Sequence, residues 1–313
     1  MVDAMAGFFG LFDFTKEGPG VRKDEPDKGP VLGTLEVLSR RFWELIKLNL
    51  MMVLFHLPAL IIAFFLAIYL LAALFPGLSI TTLIESFRAL GLEETADQSL
   101  EAAAVSQLTL FYLITAVALT GLQIVVVGPF QAGFAFILRN YIRDEHVFTW
   151  SDFWDHTRNN WRQSLLASLI SLAALVVLVI NLTFYRTAAF LPGSVQLAIQ
   201  ILLSAVGLIW LMMQAYVYPM IVTFKLTLGQ IYRNSLLFVI LRLPYNLLYL
   251  LISAVLLLVV PGALLLNGSV ATVLIAAVWY LVFALAINQF FSMAIVWRGV
   301  RRFMIQKNDE NPA

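Results

Sequence analysis

Two things are scarce in this sequence. It contains no cysteine, and only 12% of its 313 residues are Asp, Glu, Lys or Arg. The absence of cysteine excludes disulfides and thiolate metal sites, and leaves the redox compartment unread. A soluble globular domain carries about 25% charged residues. Half that charge, with 61% of residues apolar, makes this an integral membrane protein. The net charge of +1 says little until its distribution is examined. Residues 1–14 carry Asp3 and Asp13 and lack a basic leading region, which argues against a cleavable signal peptide.

The charge that exists avoids six apolar runs, each near the ~20 residues needed to cross a bilayer core. They cover 49–75, 108–138, 164–185, 196–224, 245–266 and 270–297. None has a charged residue in its central stretch. Ion-coupled transporters, proton pumps and voltage sensors usually place charge there, so their simplest forms are disfavoured. The runs also lack paired Asp, a Ser/His pair and His-Glu-x-x-His, as an intramembrane protease would need. No Gly-x-x-x-x-Gly-Lys-Ser/Thr loop is present to cradle a nucleotide phosphate. No enzymatic activity, cofactor, metal or nucleic-acid partner is expected.

The expected fold class is all-α: a polytopic bundle of six spans in the lipid bilayer. Residues 1–48 form an N-terminal segment, 49–297 the spanning domain and 298–313 a tail. Within the first, the aromatic run Phe8–Phe14 is too short to span and reads as an interfacial anchor or a segment docked on the bundle. From Val31 to Leu48 the apolar spacing predicts an amphipathic surface helix. The segments before span one, between two and three, between four and five, and after six hold 7, 4, 3 and 4 Lys and Arg. The other three connections hold only Arg88 and Arg186. By the positive-inside rule both termini are cytoplasmic. Loop 76–107 then faces outward as a helical cap rich in acid, either merely solvated or used to recognise a partner.

The stretch 139–163 is the most distinctive. Arg139, Arg143, Arg158 and Arg162 are interleaved with Trp150, Phe153, Trp154 and Trp161 between two spans. That mixture describes a cytoplasmic amphipathic elbow at the membrane surface, and Thr149-x-x-Asp152 supplies a capping box for its helix. A metal site on His146, His156 and the nearby aspartates is a weaker reading of the same residues. Arg143, Trp150, Trp154, Arg158 and Arg233 are the candidates for docking a partner.

Weaker elbows precede spans one and five. Asn49, Asn160 and Asn234 sit near the starts of the odd spans. Pro58 follows Asn49 by 9 residues, and Pro244 follows Asn234 by 10. In the even spans Gln123 precedes Pro129, Gln214 precedes Pro219, and Gln289 holds a matching place in the last. Three parallel hairpins about an axis along the membrane normal would explain this; chance recurrence of amides near span ends is the alternative. His56, Gln123, Gln214, Asn288 and Gln289 are candidates to line a cavity for an uncharged, hydroxyl-rich ligand. The competing reading makes them hydrogen-bonding glue between helices.

Gly7-Phe8-Phe9-Gly10-Leu11-Phe12-Asp13-Phe14, Lys16-Glu17-Gly18-Pro19-Gly20-Val21 and Arg41-Phe42-Trp43-Glu44-Leu45-Ile46-Lys47-Leu48-Asn49-Leu50 together resemble the YesL-like family of bacterial membrane proteins. Gly128-Pro129, the Phe153-Trp154 elbow, and Tyr218-Pro219 leading to Arg233-Asn234 are similar to later blocks of that family. The resemblance implies the bacterial cytoplasmic membrane. It also implies a role beside sugar-uptake ATP-binding cassette systems, whose permease or ATPase subunits become candidate partners, and it brings no catalytic residues. A stand-alone transporter or channel for a small neutral solute is the alternative.

The orientation is checked by cysteine labelling, for which the chain offers no background thiol. Glu94→Cys should react with a membrane-impermeant reagent in intact cells, and Asn308→Cys only after permeabilisation. The reverse pattern refutes the topology.

Overall fold

The computed structural model describes residues 29–91, 99–119, 121–188 and 190–305. The N-terminal run 1–28, with its expected anchor, lies outside them, as do residues 306–313 of the tail. The described chain forms ten helices and no strand: α1 (Pro30–Arg40), α2 (Phe42–Leu74), α3 (Ile80–Ala89), α4 (Leu100–Leu119), α5 (Gly121–Ile142), α6 (Thr149–Thr187), α7 (Gly193–Thr223), α8 (Leu228–Leu241), α9 (Leu243–Leu266) and α10 (Val270–Ile305). Six segments, in α2, α5, α6, α7, α9 and α10, are long and apolar enough to cross a membrane. This is an all-α, multi-pass membrane protein. The expected run 108–138 falls across α4 and α5, on either side of position 120.

The expected elbow helix is continuous with the third span. Residues 149–187 contain no Gly or Pro, so once a helix nucleates at its start nothing in the chain stops its propagation. At ~1.5 Å per residue, the 39 residues of α6 outrun a hydrocarbon core by several turns. Those extra turns carry Asp152, Asp155, Arg158 and Arg162. The cap also shifts by one residue: Thr149 is already helical, and Asp152 Oδ2 accepts from the backbone N–H of Phe148 at 2.9 Å.

The expected amphipathic helix from Val31 to Leu48 is broken at Arg41, which separates α1 from α2. Arg41 Nη2 reaches Asp144 Oδ1 at 3.3 Å and the Glu145 carbonyl at 3.4 Å. Asp144 also pairs with Arg40 at 3.2 Å. It sits at φ 57°, where its amide bonds to Tyr141 O and that of Glu145 to Asn140 O. This is the left-handed closure that usually falls to glycine. Aspartate tolerates that conformation better than most residues and adds the carboxylate that fastens the α1–α2 break to the end of α5.

Burial is concentrated in the half of the bundle near the arginines. Leu48, Met52, Phe134, Ile137, Tyr141, Phe153, Tyr216, Met220, Ile231 and Phe290 are buried there. In the opposite half most of α7, α9 and α10 is exposed apolar surface, as at Leu202, Leu258 and Leu274, and is matched to lipid. The α5–α6 hairpin is the closest helix pairing. A methyl group on Gly133 would collide with Thr157 Oγ1 and lie 2.7 Å from Phe153 O; one on Gly128 would collide with Ser168. Small residues let the two backbones approach, as bilayer-embedded helices require.

Two helices widen locally to i→i+5 hydrogen bonding, over Val255–Val259 in α9 and Tyr280–Ala284 in α10. Such a segment leaves backbone groups without their usual partners, and lipid offers none. Side chains supply them. The fully buried Asn49 of α2 donates through Nδ2 to Tyr280 O (3.0 Å) and Leu281 O (2.7 Å), and its Oδ1 accepts from the Ala286 N–H (2.8 Å). In turn Trp279 Nε1 donates to Leu256 O at 2.8 Å, and Tyr280 OH to Leu257 O.

The break between α8 and α9, one residue before Leu243-Pro244, is treated the same way. Asn246 Nδ2 donates to the end carbonyls of Phe238 and Val239, and its Oδ1 accepts from Tyr216 OH at 2.7 Å. Arg242 crosses Gly299 and donates to Ile295 O at 2.6 Å.

Asn49→Leu should therefore lower stability in detergent by about 1–3 kcal/mol for each buried group left unpaired, read as a fall in melting temperature. Leu50→Ala, at an exposed neighbouring position, should cost under about 0.5 kcal/mol.

Candidate functional site

Three of the even-span amides converge. Gln131 on α5, Gln214 on α7 and Gln289 on α10 line one recess of about 180 Å³, with Tyr218 and, from α9, Tyr249. Helix ends do not make this site; helix faces do, and two of its three amide-bearing helices carry a proline nearby, Pro129 and Pro219.

The polar groups are largely spent on one another. Gln289 Nε2 donates to Gln131 Oε1 at 3.2 Å. Ser171 Oγ donates to Gln214 Oε1 at 2.7 Å and lies 2.8 Å from Ala167 O, while Gln214 Nε2 is buried without a partner among the described residues. A hydroxyl has one proton and a carbonyl only accepts. Both Ser171 contacts are satisfied together when Gln214 turns its nitrogen to Ser171, which also pairs that nitrogen. Asn288 is adjacent in sequence but does not line the recess, and its Oδ1 is buried without a partner among the described residues.

The other ligand candidates lie elsewhere. His56 Nδ1 is 2.7 Å from Met52 O, so it carries the proton and donates within its own helix rather than to a neighbour. The side chain of Gln123 lies outside the described residues. Gln131 holds the place expected of it, eight residues or about 12 Å further along α5. The α5 amide that meets α10 follows Pro129 rather than preceding it, so helical phase and not offset from proline brings it to Gln289.

The docking candidates divide. Trp150 and Trp154 stack edge to face at 5.9 Å, and Arg158 lies over Trp154 at 5.6 Å, so these three form one patch at the start of α6. Trp150 is 56% exposed; Trp154 is half-buried against Phe55 and Phe130. Arg233 is exposed on α8. That helix is adjacent to α6, since Tyr232 OH donates to Ala167 O. Arg143 is turned away, paired with Glu145 at 2.5 Å and lying over Trp297. His156 stacks on Phe136 at 3.4 Å while His146 packs against Phe148. No group of three metal-ligating side chains exists among the described residues.

The patch, the glycine contacts and Ser171 all belong to one segment, α4 to α6, and that segment is also where the chain is similar to others. Residues 105–182 match the family model described as Protein of unknown function, DUF624. YesL proteins belong to that family. No curated protein and no solved structure matches the chain. The matched segment thus contains the contact between α5 and α6 and the aromatic-basic start of α6.

If the recess amides are glue, Gln131→Leu and Gln289→Leu should each cost roughly 0.6 kcal/mol. The double variant should cost no more than either single one, because both remove the same hydrogen bond. Melting temperatures of the purified variants in one detergent measure this.

Proposed function

We propose that this protein is a non-enzymatic accessory or regulatory partner of a carbohydrate-uptake ATP-binding cassette system. In this reading it sits in the bacterial cytoplasmic membrane with both termini inside, and the start of α6 docks on an importer permease or ATPase subunit. The observation that carries the reading is the Trp150–Trp154–Arg158 patch. Exposed tryptophan backed by a stacked arginine is the composition of interface anchor residues, and it stands where α6 has outrun the apolar core. The resemblance to YesL-like proteins supplies the sugar-uptake context.

The alternative is a stand-alone path for a neutral solute, with the amide recess as its binding site. Small-molecule sites usually occupy about 300–1,000 Å³. The recess has about 180 Å³, and two of its three amides are bonded to each other. The dimensions favour glue, and hence the accessory role.

Co-expression with the ATP-binding and permease subunits of a sugar importer from the same cell tests the reading. The ATP-binding subunit should co-purify with the wild-type chain. Trp150→Ala with Arg158→Glu should reduce the yield by about tenfold, or roughly 1.4 kcal/mol, without changing the melting temperature. Undiminished co-purification makes the patch a membrane-surface anchor. Sugar flux into liposomes holding only this protein overturns the accessory role in favour of transport.

A further inference from the structure

A recess of about 710 Å³ lies at the arginine-rich end, between α1 and the ends of α5, α7 and α10. Arg139, Arg143, Arg298 and Arg301 line it. Among the described residues the only acid in its wall is Glu145, which is held by Arg143 at 2.5 Å.

Arg139 sets the chemistry. It is only 8% exposed, yet among the described residues its hydrogen bonds all go to neutral groups: Nε donates to Asn140 Oδ1 at 3.2 Å, and Nη1 to Val222 O and Thr223 Oγ1, each at 3.1 Å. Among the described residues no carboxylate pairs with it directly, since the nearby Glu145 is held by Arg143, and burial of an incompletely balanced charge is costly. Trp297 orients the pair, with Arg139 and Arg143 over its ring at 5.9 and 5.4 Å. Arg298 reaches across to Thr34 of α1 at 2.7 Å, which joins that helix to the wall. The result is a half-open chamber whose described wall carries four arginines against one glutamate, with forked donors. That is the geometry arginine offers to phosphate.

Position selects the source of the phosphate. Arg139 lies within one turn of the end of α5, and Thr223 is the last residue of α7. Val31, Leu32 and Leu35 of α1 are exposed apolar residues, a face suited to acyl chains. The recess is therefore at headgroup depth and open beside lipid. We propose that it binds the phosphate of an anionic phospholipid, with Arg139 as the buried anchor and Arg143 and Arg301 closing on the headgroup. Basic pockets between spanning helices on the basic side of a bundle are suited to such headgroups. The inference does not rest on the accessory role, since none of these arginines belongs to the Trp150–Arg158 patch.

The test uses the full chain in detergent micelles doped with phosphatidylglycerol or with phosphatidylcholine. Bound lipid is counted by native mass spectrometry and stability is followed by melting. The wild-type chain should retain phosphatidylglycerol and melt higher in it than in phosphatidylcholine. Arg143→Gln with Arg301→Gln should weaken retention roughly 30-fold. Arg158→Gln with Arg162→Gln, the same charge change elsewhere, should not. The lipid-free melting temperature of both pairs reports folding, and lipid counting remains readable if it falls. Equal loss in the two pairs, or equal retention of both lipids, overturns the site. Glycerol 3-phosphate, run without lipid, is the soluble arm. Full stabilisation by it, with no added effect of phosphatidylglycerol, overturns the lipid assignment.

Discussion

In a bilayer, a backbone group that leaves its helical ladder has no water to turn to. This chain leaves the ladder at several places, and the fold depends on who receives the freed groups. Asn49 on α2 completes the widened turn of α10. Trp279 and Tyr280, at the start of that same turn, complete the widened turn of α9, and Asn246 closes the break between α8 and α9 while accepting a hydrogen bond from Tyr216 on α7. These bonds link α2, α10, α9 and α7 into a series. Each irregular segment is stabilised by a neighbour rather than by itself, so the irregularities specify which helices lie side by side. Apolar packing alone would be weaker at this, because lipid tails are as apolar as leucine.

The same logic divides the molecule into two halves. Near the arginines, ion pairs of Arg40 and Arg41 with Asp144, the Arg139 bonds to α7 and the Phe134–Phe153 contact pull α1, α2, α5, α6 and α7 together. Away from them the helices present broad apolar faces. The proposed docking patch and the proposed phosphate recess both occur in the well-packed half. Side chains there are held in place by neighbours, which a recognition site requires. The weakly buried half is suited to little beyond lipid.

Much of the architecture was legible in advance. Period and length of the apolar runs identify helices and spans because the bilayer imposes both. The shared junctions were harder. Nothing local distinguishes the break at Arg41 from the unbroken run through Trp161, since neither contains Gly or Pro; the difference is the distant Asp144. The site was half legible. Gln214 and Gln289, candidates by their place in the even spans, share a recess. Gln131 joins them by helical phase along α5, which offset from a proline does not reveal. Asn49, Asn160 and Asn234 looked equivalent by position, yet Asn49 serves α10, Asn160 bonds back to His156 O, and Asn234 lines a shallow groove.

What the sequence by itself determined is the class of object. The absence of cysteine, the dearth of charge in the spans and the uneven distribution of Lys and Arg define a multi-pass helical membrane protein. These are one-dimensional properties answering to a one-dimensional constraint, the thickness and polarity of the bilayer. Only the tertiary structure decided which polar residues meet. Arg143, a docking candidate by its place in the elbow, lies over Trp297 beside Arg139, Arg298 and Arg301, apart from Trp150 and Trp154. Residues more than 150 positions apart form that recess. Their convergence follows from helix order and rotation, which are set by contacts between helices and leave no periodic trace in any one of them.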